Sequence, residues 1–196
     1  NPDYWNGEIG YRPPGYAEFP INWIKESCIY FRRPTNVLDV GCAFGYSVRR
    51  LRRLGIAALG LDISAYAISQ APAEVRAWLI CAPAWSIPLL DKEVDLLFSS
   101  GMLEHIPPKK MKATIKEMVR VARRGLIGVA CLDDPTTQSG QDSSHEVILA
   151  LAEWQALFPS GFKVISDSTQ SWFNELLSTF KMMRTNNVGF MFNPIA

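Results

Sequence analysis

The chain has 196 residues, 48% hydrophobic and 20% charged, enough apolar material to fill one domain and too much for global disorder. Twenty basic against nineteen acidic side chains leave +1, which provides no overall electrostatic footprint for nucleic acid. No apolar run is long enough to span a bilayer.

Residues 1–16 (NPDYWNGEIGYRPPGY) lack periodicity and read as an ordered aromatic arm. Over 17–31, Phe19, Ile21, Ile24, Cys28 and Phe31 space as one amphipathic helix, so 1–31 is a candidate lid. A short buried strand over 36–40 runs into a glycine turn. The helix over 46–54 then puts Val48, Leu51 and Leu54 inward and Arg49, Arg50, Arg52 and Arg53 outward into solvent. A second strand, 57–61, ends at Asp62, and Ser64 caps a helix to about 70. Strands follow over 75–81 and 94–99. Pro107 and Pro108 open a helix to 124 with Met111, Ile115, Met118 and Ala122 on one face; Gly125 ends it and 126–132 is the fifth strand. The rest reads as helix 145–158, strand 162–168, helix 172–180 and a last strand 188–192.

Strands alternating with helices imply an α/β fold, a largely parallel sheet covered on both faces. No repeat, low-complexity tract or linker divides it, so one domain is expected: a core over 36–132 and a C-terminal part over 133–196. Cys28, Cys42, Cys81 and Cys131 lack metal spacing and read as buried free thiols in a reducing, cytoplasmic setting. The start at Asn1, without a methionine or an apolar leader, reads as a processed or excised piece of something longer.

The chemistry concentrates after the first strand, in VLDVGCAFGYS (37–47). Gly41 and Gly45 permit a sharp turn and close approach of a ligand to the backbone. Asp62 follows Gly41 by 21 residues, at the end of the next strand, where a carboxylate can accept both hydroxyls of a ribose. The spacing is G-x-x-x-G rather than G-x-G-x-x-G, with Tyr46 where a third glycine would fall. That argues against a dinucleotide and for a nucleoside cofactor without phosphates. A P-loop lysine is missing as well.

These motifs, with GLDIS (60–64) and IPLLDKEVDLLFSSGMLEHIP (87–107), resemble the class I S-adenosylmethionine-dependent methyltransferases, and within them the small type 11 group that modifies small molecules. The resemblance implies a Rossmann-like, doubly wound, mostly parallel sheet of seven strands with an antiparallel last strand. It implies S-adenosylmethionine as cofactor and S-adenosylhomocysteine as product. Asp39, Gly41, Ala43 and Gly45 would line the methionine end, Asp62 would bind the ribose, and Ile63 would pack on adenine. Ser99, Ser100 and Gly101 would sit near the transferred methyl. Two departures stand out. Ala43 replaces the middle glycine, and Pro83 stands where an acid often meets the adenine amino group, which leaves the backbone of Ala84 and Trp85 and the Trp85 indole for that task.

His105 and His145 are the candidate general bases for a hydroxyl or amine acceptor. Each also reads as an ordinary residue, one in a loop-shaping motif and one at a helix start. Tyr4, Trp5, Tyr11 and Tyr16 in the arm, with Trp172 and Phe173, are candidate substrate walls or plain anchors; aromatic faces suit a sulfonium. No His/Asp/Glu cluster proposes a metal. The expected reaction moves a methyl group to an oxygen, nitrogen or carbon of a small-molecule acceptor, without nucleic acid or membrane. An RNA or protein methyltransferase, and a degenerate cofactor-binding module held back by Pro83, are the alternatives.

Overall fold

Residues 34–133 and 144–166 are described by the computed structural model of the chain. The arm with Tyr4, Trp5, Tyr11 and Tyr16, the helix expected over 17–31, Cys28, most of the 133–144 loop, Trp172, Phe173 and the strand expected over 188–192 lie outside them.

Apolar residues of alternating parity build a sheet buried on both sides. In β1 (Asn36–Val40), Val37 joins one core and Leu38 and Val40 the other. In β4 (Val94–Ser100), Leu96 and Phe98 oppose Leu97. The remaining strands are β2 (Ala57–Asp62), β3 (Leu79–Cys81), β5 (Ala122–Val129) and β6 (Phe162–Ser166). They lie in the order β3-β2-β1-β4-β5-β6, and every neighbouring pair is parallel. Helices α1 (Tyr46–Arg53) and α3 (Ala73–Arg76) cover one face, through Val48, Leu51 and Val75. Helices α4 (Pro108–Val121) and α5 (Leu151–Ala156) cover the other, through Met118, Val121 and Trp154. Between β2 and β3, α2 (Ala65–Gln70) starts at Ser64, whose hydroxyl accepts from the Ala67 N–H at 3.1 Å. The α/β, doubly wound expectation holds. Six strands rather than seven fall within the described residues, and β6 bonds β5 directly and in parallel.

Five local expectations are corrected. Residues 73–76 are a helical turn behind Pro72 rather than strand, because the Pro72 carbonyl accepts from the Val75 and Arg76 N–H groups; the third strand keeps only three residues. Its last, Cys81, is exposed because β3 is the edge of the sheet, while Cys42 and Cys131 are buried.

The junction of α4 and β5 is not a glycine turn. The helix stops at Val121 and the strand begins at once, because Lys92 caps the helix from a distant loop. Its Nζ donates to the carbonyls of Val119 (2.6 Å) and Ala122 (2.8 Å), and its backbone N–H to that of Arg120. Gly125 instead lies inside β5, where Phe162 covers it; an added Cβ would run into the ring.

The helix expected from 145 begins only at Leu151. Before it, Glu146 and Val147 donate their N–H groups to the Glu104 carbonyl, and Leu149 pairs with Cys131, which holds the segment extended. Finally, Arg52 is not simply solvated. It lies 3.4 Å from the centroid of the Trp78 ring and donates to the Ala58 carbonyl.

Candidate active site

Strand order reverses between β1 and β4, and the crevice beyond the carboxyl ends of these strands is where an open parallel sheet binds ligands. The chain leaves β1 there through three left-handed residues in five positions: Gly41 (φ 84°), Ala43 (φ 47°) and Gly45 (φ 69°). The Leu61 carbonyl accepts from the N–H groups of both Gly41 (2.8 Å) and Cys42 (3.1 Å), which ties the turn to the end of β2. Glycine is required at 41 on two grounds, the positive φ and the Met102 side chain, whose Cγ would meet an added Cβ at 2.7 Å. At Gly45 the corresponding neighbour is Leu79, at 2.9 Å.

Ala43 has no such freedom, and a left-handed L-residue costs about 1–2 kcal/mol. Asp62 holds it there: one carboxylate oxygen accepts from the Ala43 N–H at 2.9 Å, the other from the Ser64 N–H at 2.8 Å. Asp62 is thus the brace of the turn before it is anything else. Each oxygen keeps a further lone pair for a ligand hydroxyl.

Two buried acids share this spot. Asp39, 4% exposed, has its carboxyl pushed up to about 7 by burial and, second, by the Asp62 charge. Burial also raises Asp62, against the pull of the Ser64 and Ala43 N–H donors. The Cys42 thiol, raised by burial and then by both carboxylates, is an inert packing group. A cation arriving here finds negative charge with no basic side chain among the causes that shift either acid.

Beyond Asp62 the wall is apolar. Ile63 is 61% exposed at the strand end, unusual for a large aliphatic group beside a buried carboxylate. The Asp62 carbonyl accepts from the Ala82 N–H, and a turn closed by the Ser86 N–H on the Pro83 carbonyl follows. In that turn Ala84 is buried. Trp85 is packed on the core with Lys110 Nζ 5.5 Å from its ring centroid, so the indole already serves a cation.

On the β4 side the expected residues part company. The Ser99 hydroxyl is fully buried and donates to the Val40 carbonyl at 2.9 Å, a strand-to-strand brace. Ser100 is half-buried at the strand's last position, and Gly101 turns the chain at φ 59°.

The next turn, a 3-10 helix over Leu103–His105, brings the two histidines together. Their ring centroids are 4.9 Å apart, edge to face at 64°. His105 Nδ1 lies 3.2 Å from the Ser144 carbonyl oxygen and 3.1 Å from the Ser144 hydroxyl. Glu104, 2% exposed, accepts from the Ala130 N–H with its carboxylate and holds 146–147 with its own carbonyl. Met102, Glu104 and Ser144 are the site residues that motif reasoning missed. Only Glu104 carried a signal, its place in LEHIP. No group of three or more metal-ligating side chains occurs among the described residues.

A family model described as a methyltransferase domain matches residues 38–129. A malonyl-[acyl-carrier protein] O-methyltransferase of Hamiltonella defensa is 33% identical over 91 residues, 45% of this chain and 34% of that protein. An uncharacterized methyltransferase of Mycobacteroides abscessus is 31% identical over 122 residues, 59% of this chain and 45% of that protein. The chain therefore spans less than half the length of these curated relatives. Among solved structures, a SAM-dependent methyltransferase of Archaeoglobus fulgidus superposes with a TM-score of 0.61 at 19% identity, covering 72% of this chain and 66% of that one. With the braced glycine turn, the acid at the end of β2 and the strand order already established, residues 38–129 match a methyltransferase domain, and the described sheet shares its fold with that solved S-adenosylmethionine-dependent methyltransferase.

Proposed function

We propose that the protein transfers a methyl group from S-adenosylmethionine to a small-molecule acceptor. The observation that carries this reading is the turn over 41–45. It is held open in left-handed conformations, backed by two buried carboxylates and followed by an exposed apolar residue, Ile63.

That arrangement fits the cofactor. Asp62 offers its remaining lone pairs to ribose hydroxyls, and Ile63 and the 83–86 turn with Ala84 and Trp85 offer an apolar seat for adenine. Asp39, Gly41, Ala43 and Gly45 form the bed for the methionine end. The acid pair suits its positive charge, since a nearby cation stabilises both ionised carboxylates. Bound there, the cofactor supplies a methyl on an activated sulfonium. The protein's own work is then to hold an acceptor in line and exclude water; positioning of this kind supplies about 7–11 kcal/mol in favourable cases. Ser100 and Gly101 lie on the acceptor side of the crevice, as do the two histidines. Tyr4, Trp5, Tyr11 and Trp172 are proposed to complete the acceptor pocket. Near-neutral charge favours a small acceptor over RNA.

Calorimetric titration with S-adenosylmethionine and S-adenosylhomocysteine, with NAD as control, tests the reading. Saturable binding of the two adenosyl ligands alone is expected. Ile63→Lys, a change at an exposed position, should weaken both at least tenfold while leaving thermal stability unchanged. A folded protein that takes up neither ligand overturns the proposal.

A further inference from the structure

The glycine turn treats its two acids unequally. Asp62 accepts from the Ala43 and Ser64 N–H groups. The N–H groups nearest Asp39 are committed elsewhere: Gly41 and Cys42 donate to the Leu61 carbonyl, and Gly45 to the Cys42 carbonyl. Among the described residues no hydrogen bond or ion pair reaches the Asp39 carboxyl, although the residue is only 4% exposed. Its titratable neighbours are Asp62 from β2 and the Cys42 thiol from the turn. On β4 the Ser99 hydroxyl is spent on the Val40 carbonyl. Helix α1 turns Val48 and Leu51 inward, while Arg49 and Arg53 reach out to Glu74 and Arg52 to the Trp78 ring. No basic side chain is among the causes that shift Asp39. A buried carboxyl with no donor and no cation, beside a charged neighbour, holds its proton. Burial first and Asp62 second push this one up to about 7.

We infer that cofactor uptake expels a proton from Asp39: the free protein holds this residue as the neutral acid, and Asp39 ionises when the ammonium of the cofactor's methionine end comes to lie beside it. This rests on the cofactor reading above and adds a proton to its binding equilibrium. The O–H bond of the acid breaks, its electron pair stays on the carboxylate, and the proton leaves to solvent. The two acids then have separate duties. Asp62, with two N–H donors, is the one that stays charged and braces the turn in the free protein. Asp39, with none, charges only when a cation arrives to balance it. Protons therefore compete with the ligand, and affinity falls as pH drops, by up to about tenfold per unit once Asp39 is protonated. A nucleoside without the amino-acid end escapes that competition.

Calorimetry at about pH 6 in buffers of different ionisation enthalpy is the deciding experiment, because the slope of heat against buffer enthalpy counts the protons released. S-adenosylhomocysteine should release close to one proton per ligand bound. Methylthioadenosine, which keeps the nucleoside and lacks the amino acid, should release none. Affinity for S-adenosylhomocysteine should weaken at least tenfold from about pH 7.5 to about pH 5.5, while that for methylthioadenosine stays within about threefold. Asp39→Asn mimics the neutral acid. It should fold, release no proton with either ligand and lose the pH dependence. No proton released with S-adenosylhomocysteine, or a release that survives Asp39→Asn, overturns the inference. Equal release with both ligands overturns it too, and moves the exchange to the ribose side at Asp62. Failure of the cofactor reading itself would show separately, as absence of heat with either ligand in folded protein.

Discussion

The two ends of the sheet are built on opposite electrostatic terms. At the amino ends of the strands, charges are paired and caps are filled. Asp95 takes Arg124 at 2.9 Å together with the Thr35 N–H, and Asn36 bridges to the Asp95 N–H and the Glu93 carbonyl. Lower on α4, Arg120 donates to Glu117, Asp91 and the carbonyls of Ile87 and Leu89. At the carboxyl ends, the buried Asp39 and Asp62 stand side by side, with no basic side chain among the causes that shift either acid. One end spends its polar groups on holding the fold. The other keeps an unfavourable pair of buried acids, a feature typical of functional sites.

The contrast predicts opposite responses to pH. Asp39, raised to about 7 by burial and Asp62, contributes stability that is complete below the ordinary carboxyl range and lost as pH rises through about 7. Burial would raise Asp95 too, but the Thr35 N–H and Arg124 hold it lower, and the Arg120 hydrogen bond lowers Glu117. Those two contribute stability that is present above the ordinary range and lost as pH falls through their folded values.

The largest expected effect follows. Stability of the ligand-free protein should fall by on the order of 4 kcal/mol between pH 4 and pH 8 through Asp39, and denaturant melts of Asp39→Asn should lack that slope. A variant that keeps the full slope would break the comparison at its centre. Next in size is Gly125→Ala, well away from the turn, where the new methyl meets the Phe162 ring. It should cost about 2–3 kcal/mol by denaturant melts while leaving adenosyl-ligand affinity untouched. Lys92→Met keeps the stem and removes the helix cap, for a loss of about 1–2 kcal/mol and again no change in affinity. The smallest is a gain. Ala43→Gly relieves a left-handed alanine and should stabilise by about 1 kcal/mol, which a thermal melt can read. Were Ala43→Gly destabilising, the turn would not be storing strain.

What sequence made legible was local. The alternation of Val37 with Leu38 and of Leu96 with Leu97 reports both faces of a buried sheet, because strand side chains change face at every residue. Gly41 and Gly45 mark a turn whose φ values only glycine meets freely, and Ser64 marks a helix start through a hydroxyl three residues from its donor. Acid spacing drew attention to Asp62, the LEHIP motif to His105, and a helix start expected after a polar loop to His145.

Partners distant along the chain were decided only by the tertiary structure. Lys92 ends α4 from 27 residues away, so no glycine is needed at the junction. Glu104 keeps 146–147 extended where the local pattern favours helix, because two hydrogen bonds to a fixed carbonyl outweigh propensity. Ser99 spends its hydroxyl on β1, and Asp62 spends half its acceptor capacity on the turn it faces. The pairing of His105 with His145 is the sharpest case. The rings are set 4.9 Å apart across 40 residues of chain, because the Glu104 carbonyl holds the segment after His145 against the 3-10 turn that carries His105.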